Sequence, residues 1–429
     1  MNKCDVAIVG GGIAGLTGAI YLAKAGHSVT VFEKSNELGG RARTINKNGA
    51  LFNLGGHALY RGGAAEGILK ELEVKISGTV PDTKGFAIWN GGLLELPDSL
   101  KSMVKTRLLT WSGKMELGKI MMKVRKIDAA SIPHMSLRKW AENEIKDPMV
   151  RHIFYALCRT STYCINPDQQ LASAVIQQVQ LGMKGVLYID GGWQSIVDNL
   201  RKKAVASGAT ILKNKTVSSI ENVGQHQLRF TDGEAMVVPY VIVTAGPEQT
   251  FKLVKNAEGT LLDRWKEQAQ PIYAACLDVA LRKLPNPHHN FAIGIDQHIL
   301  FSNHSRASKL SEDGTVVLQL IKYLGTEKEE HGLENKRELE KIMNLMQPGW
   351  EEEVVAKQFL PHITVVHDSI KIGDTQHFGP NVPEIPGLYM AGDGTGHGEM
   401  LVDTAFASAK RAANAIMRQI GAHGLPKEA

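Results

Sequence analysis

The chain has 429 residues, 43% hydrophobic and 22% charged, which is the composition of a globular protein with two or three domains. A formal net charge of +5 is too small to indicate a nucleic-acid partner, and no apolar run is long enough to predict a membrane-spanning helix. The four cysteines are too few for a disulfide scaffold, and the N-terminus does not look like a signal peptide, so we expect a cytoplasmic protein.

The N-terminus predicts a β-α-β unit. Asp5–Val9 is apolar like a buried parallel strand, a helix follows over about Ala14–Ala25, and Ser28–Glu33 is a second strand. The turn between the first strand and the helix reads Gly10-Gly11-Gly12-Ile13-Ala14-Gly15, which fits the G-x-G-x-x-G pattern of dinucleotide-binding loops.

Each element of this pattern has a physical role. Gly10 permits the tight turn, Gly12 has no side chain to block a pyrophosphate, and Gly15 lets the helix pack close to the strand. The phosphates then lie against free N–H groups at the helix N-terminus. Glu33 ends the second strand, where its carboxylate can accept a hydrogen bond from a ribose 2′-OH, which disfavours a 2′-phosphorylated dinucleotide.

The middle of the chain, from about Asp98 to Gln180, has a helical pattern. Its segment Leu100–Ile127 alternates basic residues (Lys101, Lys105, Arg107, Lys114, Lys119, Lys123, Arg125 and Lys126) with apolar ones (Met103, Leu108, Leu109, Trp111, Met115, Ile120 and Met122). A basic helix with an apolar face can lie on an anionic membrane, and it can equally be a capping helix with a solvated basic face. Both interpretations stay open at this point.

The second half mixes strands and helices. The patterns predict helices over Gln194–Ala206, Glu334–Met346 and a final one through Met417, and strands over Thr210–Leu212, Thr216–Glu221, Val237–Ala245, Ala274–Leu281, Phe291–Phe301, Val316–Tyr323 and Gly387–Ala391. We therefore predict an α/β protein. A Rossmann-like dinucleotide-binding domain is built from the discontinuous segments 1–75, 186–266 and 372–429, and an α+β substrate domain with a mixed or antiparallel sheet is inserted as 76–185 and 267–371.

Two further motifs extend the pattern. Leu38-Gly39-Gly40-Arg41-Ala42-Arg43-Thr44 follows the ribose acid, and Gly387-Leu388-Tyr389-Met390-Ala391-Gly392-Asp393 precedes the last helix. Together with the glycine loop they resemble the superfamily of FAD-dependent oxidoreductases that holds amine oxidases, phytoene desaturases and protoporphyrinogen oxidases. The resemblance implies that Arg41 presents its donors to phosphate, that Asp393 binds the ribityl chain, and that the start of the last helix faces the flavin pyrimidine.

Shorter matches to the same superfamily lie between these ends. Asp190–Ser195 resembles its turn into a helix, Lys215–Ile220 its strand beside adenine, and Val243–Pro247 the strand end beneath the cofactor. The cofactor-binding residues that we predict from all these segments are Gly10, Gly12, Ile13, Ala14, Gly15, Glu33, Lys34, Gly40, Arg41, Gly55, Gly56, His57, Val217, Ala245, Gly246, Gly392, Asp393, Met400, Leu401, Val402 and Ala405.

The catalytic residues are less defined by sequence. His57 and Tyr60 follow a glycine-rich loop that relatives place near the flavin ring, so both are candidates for substrate contact, and a purely structural role for His57 stays open. His397 and Glu399 have the spacing of metal ligands, but no second pair of ligands is near them in the sequence, so we predict no metal site.

The resemblance also implies a reaction: the flavin takes a hydride equivalent at N5 from a substrate C–H bond and passes the electrons to O2, a quinone or another acceptor. No cysteine lies near the C-terminal motif, so FAD should be non-covalent, and Ile272–Leu277 lacks the lysine of amine oxidases. The missing lysine weakens the amine oxidase interpretation and favours a desaturase- or oxidase-like enzyme with an apolar substrate. The alternatives are a flavin amine oxidase, a protoporphyrinogen-oxidase-like enzyme, or a non-enzymatic carrier resembling the GDP-dissociation inhibitors of small GTPases.

Overall fold

A computed structural model of the chain describes residues 4–82, 84–97, 99–328, 331–373 and 377–423. Asp98, where we predicted the helical region to begin, and the side chain of Lys101 lie outside the described part. The α-helices in it are α1 Ile13–Lys24, α2 Ala64–Glu71, α3 Leu100–Lys105, α4 Trp111–Lys126, α5 Leu137–Glu144, α6 Pro148–Thr162, α7 Ala172–Gly182, α8 Gln194–Ala206, α9 Pro247–Leu253, α10 Leu261–Gln268, α11 Gly332–Met346 and α12 Leu401–His423.

The strands alternate with these helices in irregular order. They are β1 Val6–Val9, β2 Val29–Phe32, β3 Thr44–Lys47, β4 Ala50–Asn53, β5 Leu59–Tyr60, β6 Gly78–Thr79, β7 Phe86–Trp89, β8 Gly92–Glu95, β9 Val186–Ile189, β10 Thr210–Leu212, β11 Val217–Asn222, β12 His226–Phe230, β13 Ala235–Val238, β14 Tyr240–Val243, β15 Ile272–Leu281, β16 Phe291–Gly294, β17 Ile299–Asn303, β18 Val316–Gly325, β19 Val354–Val366 and β20 Leu388–Met390.

A five-stranded parallel sheet has the order β10-β2-β1-β14-β20. Side chains alternate between its faces, so Val6 and Ile8 of β1 pack with α1, α8 and α12, whereas Ala7 packs toward the three-stranded sheet β11-β12-β13. Val9 lies beside Val243, and Val243 beside Met390. The carboxyl ends of three strands that are far apart in sequence therefore meet at one edge, as the predicted nucleotide-binding fold requires.

A second sheet of seven strands has the order β19-β15-β18-β17-β16-β7-β8. Its pairs are antiparallel except for the parallel pair of β16 and β7, so the sheet is mixed. The helices α4 to α7 share a core with this sheet. Strands of the parallel sheet come from 1–75, 186–266 and 372–429, and those of the larger sheet from 76–185 and 267–371. The exact domain boundaries stay a prediction.

Three predicted elements differ in the structure. Val237–Ala245 is split between β13 and β14, which belong to different sheets, because Pro239 has no N–H for a strand ladder. Phe291–Phe301 is a hairpin of β16 and β17, whose apolar residues hide the turn in the sequence.

The basic segment Leu100–Ile127 also differs, since it forms two helices. Ser99 caps α3 and Thr110 caps α4, each through its hydroxyl. None of the helices in the described part of the chain is long and apolar enough to cross a membrane.

The sequence patterns also missed β19, although it has 13 residues. Pro361 and the half-exposed polar residues around it argue against a central strand. The strand lies at the edge of its sheet, where a proline is tolerated because one side of the ladder has no partner.

Candidate functional site

A cavity of about 970 Å³ is lined by residues of both sheets. One end lies at the carboxyl edge of the parallel sheet, against Gly10, Gly12 and Ala245. At the other end is an apolar chamber, which we define by its lining residues Met121, Leu157, Val179, Met183, Phe291 and Leu300. The size and the mostly apolar walls with a few polar groups are typical of cofactor and substrate sites.

The glycine loop at the first end has the geometry of a phosphate cradle. Gly10 has a φ of +111°, and a Cβ there would lie 2.3 Å from Thr244 Oγ1. A Cβ on Gly15 would lie 1.9 Å from the carbonyl oxygen of Gly10, so Gly15 is required for close packing of α1 on the loop. Gly12 differs, because the nearest atom to its Cβ would be 3.9 Å away and the position faces the cavity. The space that Gly12 leaves free therefore fits a pyrophosphate at the N-terminus of α1.

Glu33 is held beside this loop. Its carboxylate accepts hydrogen bonds from the backbone N–H of Gly11 at 2.7 Å and of Ser35 at 2.9 Å. The side chain is buried, yet Glu33 and Lys34 both line the cavity. A carboxylate has about four lone-pair positions, so Glu33 keeps acceptor capacity for a ribose hydroxyl.

Arg41 and Asp393 form an ion pair at the cavity wall. Two guanidinium nitrogens of Arg41 lie 2.9 and 2.6 Å from the two carboxylate oxygens, and Arg41 also donates to the carbonyl of Val365. Burial opposes ionisation of Asp393, but the charges of Arg41 and His367 and their hydrogen bonds outweigh it and hold the pKa of Asp393 well below its usual range. The predicted contacts of Arg41 with phosphate and of Asp393 with a ribityl chain stay predictions.

The loop before His57 is fixed on the larger sheet by three polar side chains. Asp278 on β15 lies in register with Gln319 on β18 and Gln358 on β19. Both glutamines donate to its carboxylate, at 2.9 and 3.1 Å, and their amides also donate to the carbonyls of Gly55 and Asn53. This hydrogen-bonded cluster clamps the glycine-rich loop against the sheet and positions the residues that follow it.

The two candidate catalytic residues are both neutral; Tyr60 is buried and His57 is partly buried. His57 Nδ1 lies 2.8 Å from the carbonyl oxygen of Gly55, its ring packs against Trp193, and burial lowers its pKa from 6.5 to about 4. The Tyr60 hydroxyl donates to the carbonyl of Ser161, and burial raises its pKa from 10.0 to about 12. Both line the cavity. At neutral pH they can contact and orient a ligand, but neither carries a charge.

The start of α12 forms another part of the wall. Leu401, Val402 and Ala405 line the cavity, and Leu401 has a φ of +57°, which is strained for a residue with a branched side chain. Glu399 is held by Arg411 at 2.6 Å. Among the described residues, no group of three or more histidine, cysteine or acidic side chains is placed to hold a metal ion.

Of the predicted cofactor-binding residues, all but Gly15, Gly55 and Met400 line the cavity. Gly15 and Gly55 support the loops from behind, where their glycine character allows close packing. The sequence patterns missed several other lining residues: Lys215, Tyr163, Tyr188, Trp193, His304, Arg306, Gln319 and His367. Most have no local motif, but Gln319 is a buried polar residue within a largely apolar strand, and a polar residue in such a strand is a signal that sequence inspection can use.

The sequence profile of the family described as flavin containing amine oxidoreductase matches residues 13–280. A 4,4′-diaponeurosporene oxygenase of Staphylococcus aureus is 22% identical over 402 residues, covering 82% of this chain and 78% of its own. An oxidoreductase from Methanosarcina mazei superposes with a TM-score of 0.76 and 21% identity, covering 96% of this chain and all of the other. A putrescine oxidase with bound putrescine superposes with a TM-score of 0.73 and 16% identity, covering 97% and 99%. At such identities these structures show a shared fold.

Proposed function

Since the chain belongs to the family of flavin-containing amine oxidoreductases and is an FAD-dependent oxidoreductase, we propose that it dehydrogenates an apolar substrate held in the chamber of its cavity. One observation carries the proposal. The open backbone at Gly12, which fits a dinucleotide pyrophosphate, and the apolar chamber belong to the same continuous cavity. A cofactor bound at the glycine loop therefore shares an enclosed space with the substrate.

The chain's own groups are arranged to hold FAD without a covalent bond. The start of α1 would take the pyrophosphate, Glu33 the ribose, and Leu401 and Val402 at the start of α12 would contact the flavin ring. The four cysteines all lie in the described part of the chain, and none lines the cavity. When bound, the flavin supplies a hydride acceptor that no protein side chain provides.

The protein would act mainly by positioning and by excluding water. The apolar chamber desolvates the substrate, while His57 and Tyr60 remain neutral and so do not repel or trap an apolar ligand. The lysines among the described lining residues, Lys34 and Lys215, lie at the nucleotide end. The lack of a lysine in the chamber favours a desaturase- or oxidase-like enzyme over an amine oxidase, and the likeness to 4,4′-diaponeurosporene oxygenases supports the same choice.

The absorption spectrum of the purified protein tests the cofactor. We expect a yellow protein that releases free FAD into the supernatant after acid precipitation. Flavin that stays in the pellet would contradict non-covalent binding. Anaerobic bleaching of the flavin by apolar polyenes, and not by primary amines, would support an apolar substrate. Bleaching by amines alone would contradict this proposal and favour an amine oxidase.

We also propose that the protein contacts an anionic membrane through α4. Trp111, Met115 and Met122 are 69%, 63% and 59% exposed, and their spacing of four and seven residues places them on one face of the helix. Lys119, Arg125 and Lys126 are exposed beside this apolar stripe. Large exposed apolar residues flanked by basic ones are typical of a surface that enters the lipid headgroup region.

The position of α4 supports a link between this surface and the cavity. Met121 lines the chamber, whereas the next residue, Met122, belongs to the exposed stripe. The amide of Gln180 at the end of α7 donates to the carbonyls of Val124 and Ile127, which ties α7 to the end of α4. Met183 after α7 and Val80 both line the cavity and are 40% and 42% exposed. An apolar substrate dissolved in a bilayer would thus have a short route into the chamber.

A further inference from the structure

Among the described residues that line the cavity, Arg306 is a charged donor whose hydrogen bonds are incomplete. Nε and Nη1 of Arg306 are buried and have no hydrogen-bond partner in the described part of the chain, and the side chain as a whole is only 10% exposed. The guanidinium lies 5.0 Å from the ring centre of Phe291, and both residues line the cavity. A buried guanidinium with unpaired N–H groups is unfavourable unless a ligand completes it.

Neighbouring groups do not supply that partner. The nearest carboxylate, Asp82, lies 3.8 Å from Nη1, beyond hydrogen-bond distance, and is 65% exposed to solvent. His304 stacks on Tyr188, and burial and the nearby charge of Arg306 lower its pKa from 6.5 to about 3, so it is neutral and adds no second positive charge beside Arg306. Arg306 therefore lies in the cavity wall, where Asp82 is a distant ion-pair partner and two of its guanidinium nitrogens have no hydrogen-bond partner among the described residues.

The expected phosphates of the cofactor do not explain Arg306. The open glycine backbone that fits a pyrophosphate is at the N-terminus of α1 in the parallel sheet, whereas Arg306 follows β17 of the seven-stranded sheet. Val80, Phe291 and Leu300 also line the cavity, and they come from the inserted segments 76–185 and 267–371 that we assign to the substrate domain.

Resting on the proposed function, we infer that the substrate is an apolar molecule with a carboxylate, and that Arg306 determines this specificity. A guanidinium presents its N–H groups in a planar fork that matches a carboxylate. A monoanion fits better than a phosphate dianion, because Asp82 already contributes a negative charge nearby. The apolar part of the substrate would extend into the chamber, while its carboxylate meets Arg306.

The test uses the FAD-loaded enzyme and two probes with the same chain, laurate and 1-dodecanol, at pH 8. Binding is measured from the change in the flavin absorption spectrum, so no turnover is needed. We expect laurate to bind at least about tenfold more tightly than the alcohol, because a hydrogen bond between a guanidinium and a carboxylate is stronger than one to a neutral hydroxyl. Arg306→Gln should remove this preference and leave the FAD content per chain unchanged.

Arg282→Gln is the matched control, because Arg282 is 67% exposed, pairs with Glu353 and does not line the cavity. It should keep the preference for laurate. Equal binding of both probes to the wild-type enzyme, or an unchanged preference in Arg306→Gln, would overturn the inference. Either result would still be consistent with the proposed apolar substrate. Failure of both probes to bind an FAD-loaded enzyme would reject the apolar chamber as well, and a protein without FAD would reject the proposed function itself.

Discussion

Arg41 and Asp393 are 352 residues apart in the chain, yet they form a two-pronged ion pair at the wall of the cavity. Asp393 also accepts hydrogen bonds from the backbone N–H and the ring Nδ1 of His367, both at 2.9 Å. The pair therefore joins the Gly-Gly-Arg turn, the segment after β19 and the end of β20. Two motifs that are recognisable separately in the sequence form a single structural unit.

Asp393→Asn should lower the free energy of unfolding of the FAD-free protein at pH 7 by about 1–2 kcal/mol, since Asp393 is buried but Arg41 is 43% exposed and partly screened. The pKa of Asp393 is depressed in the folded state, so this stabilisation is present above the ordinary aspartate pKa and is lost as the pH falls below it. Urea denaturation measures the change.

Asp168→Asn, which removes an exposed ion pair with Arg138, is the control. Equal losses of stability in both variants would contradict a larger contribution from the buried carboxylate of Asp393.

Gly12→Val should abolish FAD binding while the protein still folds. The new side chain would enter the space left for the pyrophosphate, but no protein atom lies within 3.9 Å of its Cβ, so the folding cost is that of a poor helix cap, about 1 kcal/mol. Flavin content after gel filtration is the measurement. Gly67→Val on the exposed side of α2 should retain its flavin, and a folded Gly12→Val protein with stoichiometric FAD would show that the phosphates bind elsewhere.

Co-sedimentation with liposomes tests the membrane contact. Binding should rise with anionic lipid and fall with salt, and at low salt each of Lys119→Gln, Arg125→Gln and Lys126→Gln should weaken it about fivefold, corresponding to about 1 kcal/mol per charge. Lys123 is left unchanged because it pairs with Glu144.

The apolar stripe is tested separately with Trp111→Gln, Met115→Gln and Met122→Gln combined. This variant should lose binding at all salt concentrations, because the apolar side chains anchor in the headgroup region. Leu333→Gln, at a residue 75% exposed on α11, is the matched control. Equal recovery of the wild-type protein in the supernatant with and without anionic lipid would leave α4 as an ordinary surface helix.

The contribution of Asp278 to the free energy of unfolding should fall as the pH rises. Burial raises its pKa from 3.8 to about 7, against the hydrogen bonds from Gln319 and Gln358. The folded state then binds more protons than the unfolded state between about pH 4 and 7, so this group's contribution to stability declines across that window and is constant above it.

Asp278→Asn removes the titration and retains an acceptor for one glutamine amide. The variant should gain stability relative to the wild type as the pH is raised from 5 to 8, measured by thermal unfolding. Asp313→Asn should show no such trend between pH 5 and 8, because hydrogen bonds from Thr315 lower the pKa of Asp313, so its carboxylate is ionised in both the folded and the unfolded state over this range. A difference between Asp278→Asn and wild type that does not vary with pH would contradict a raised pKa.

The sequence by itself was enough to predict the end of the cavity that would hold the cofactor. The glycine loop, Glu33 and the motif that ends in Asp393 are local patterns whose spacing follows from a turn and a helix N-terminus, so they are readable without knowing the fold. Helix boundaries such as Gln194–Ala206 were predicted correctly, because periodic apolar residues mark them. Local patterns failed at two prolines: they merged β13 and β14 across Pro239 into one strand, and they missed β19, which contains Pro361.

Only the tertiary structure revealed the apolar chamber that we propose for the substrate. His304 and Arg306 follow β17 and Gln319 lies on β18, and nothing in their local sequence marks them as neighbours of Phe291 or Met121. The same holds for the exposed stripe, because Leu108, Leu109 and Ile120 are buried in the core while Trp111, Met115 and Met122 are exposed. Motifs encode contacts made by the backbone of one short segment, whereas a chamber is formed by side chains that long-range packing brings together.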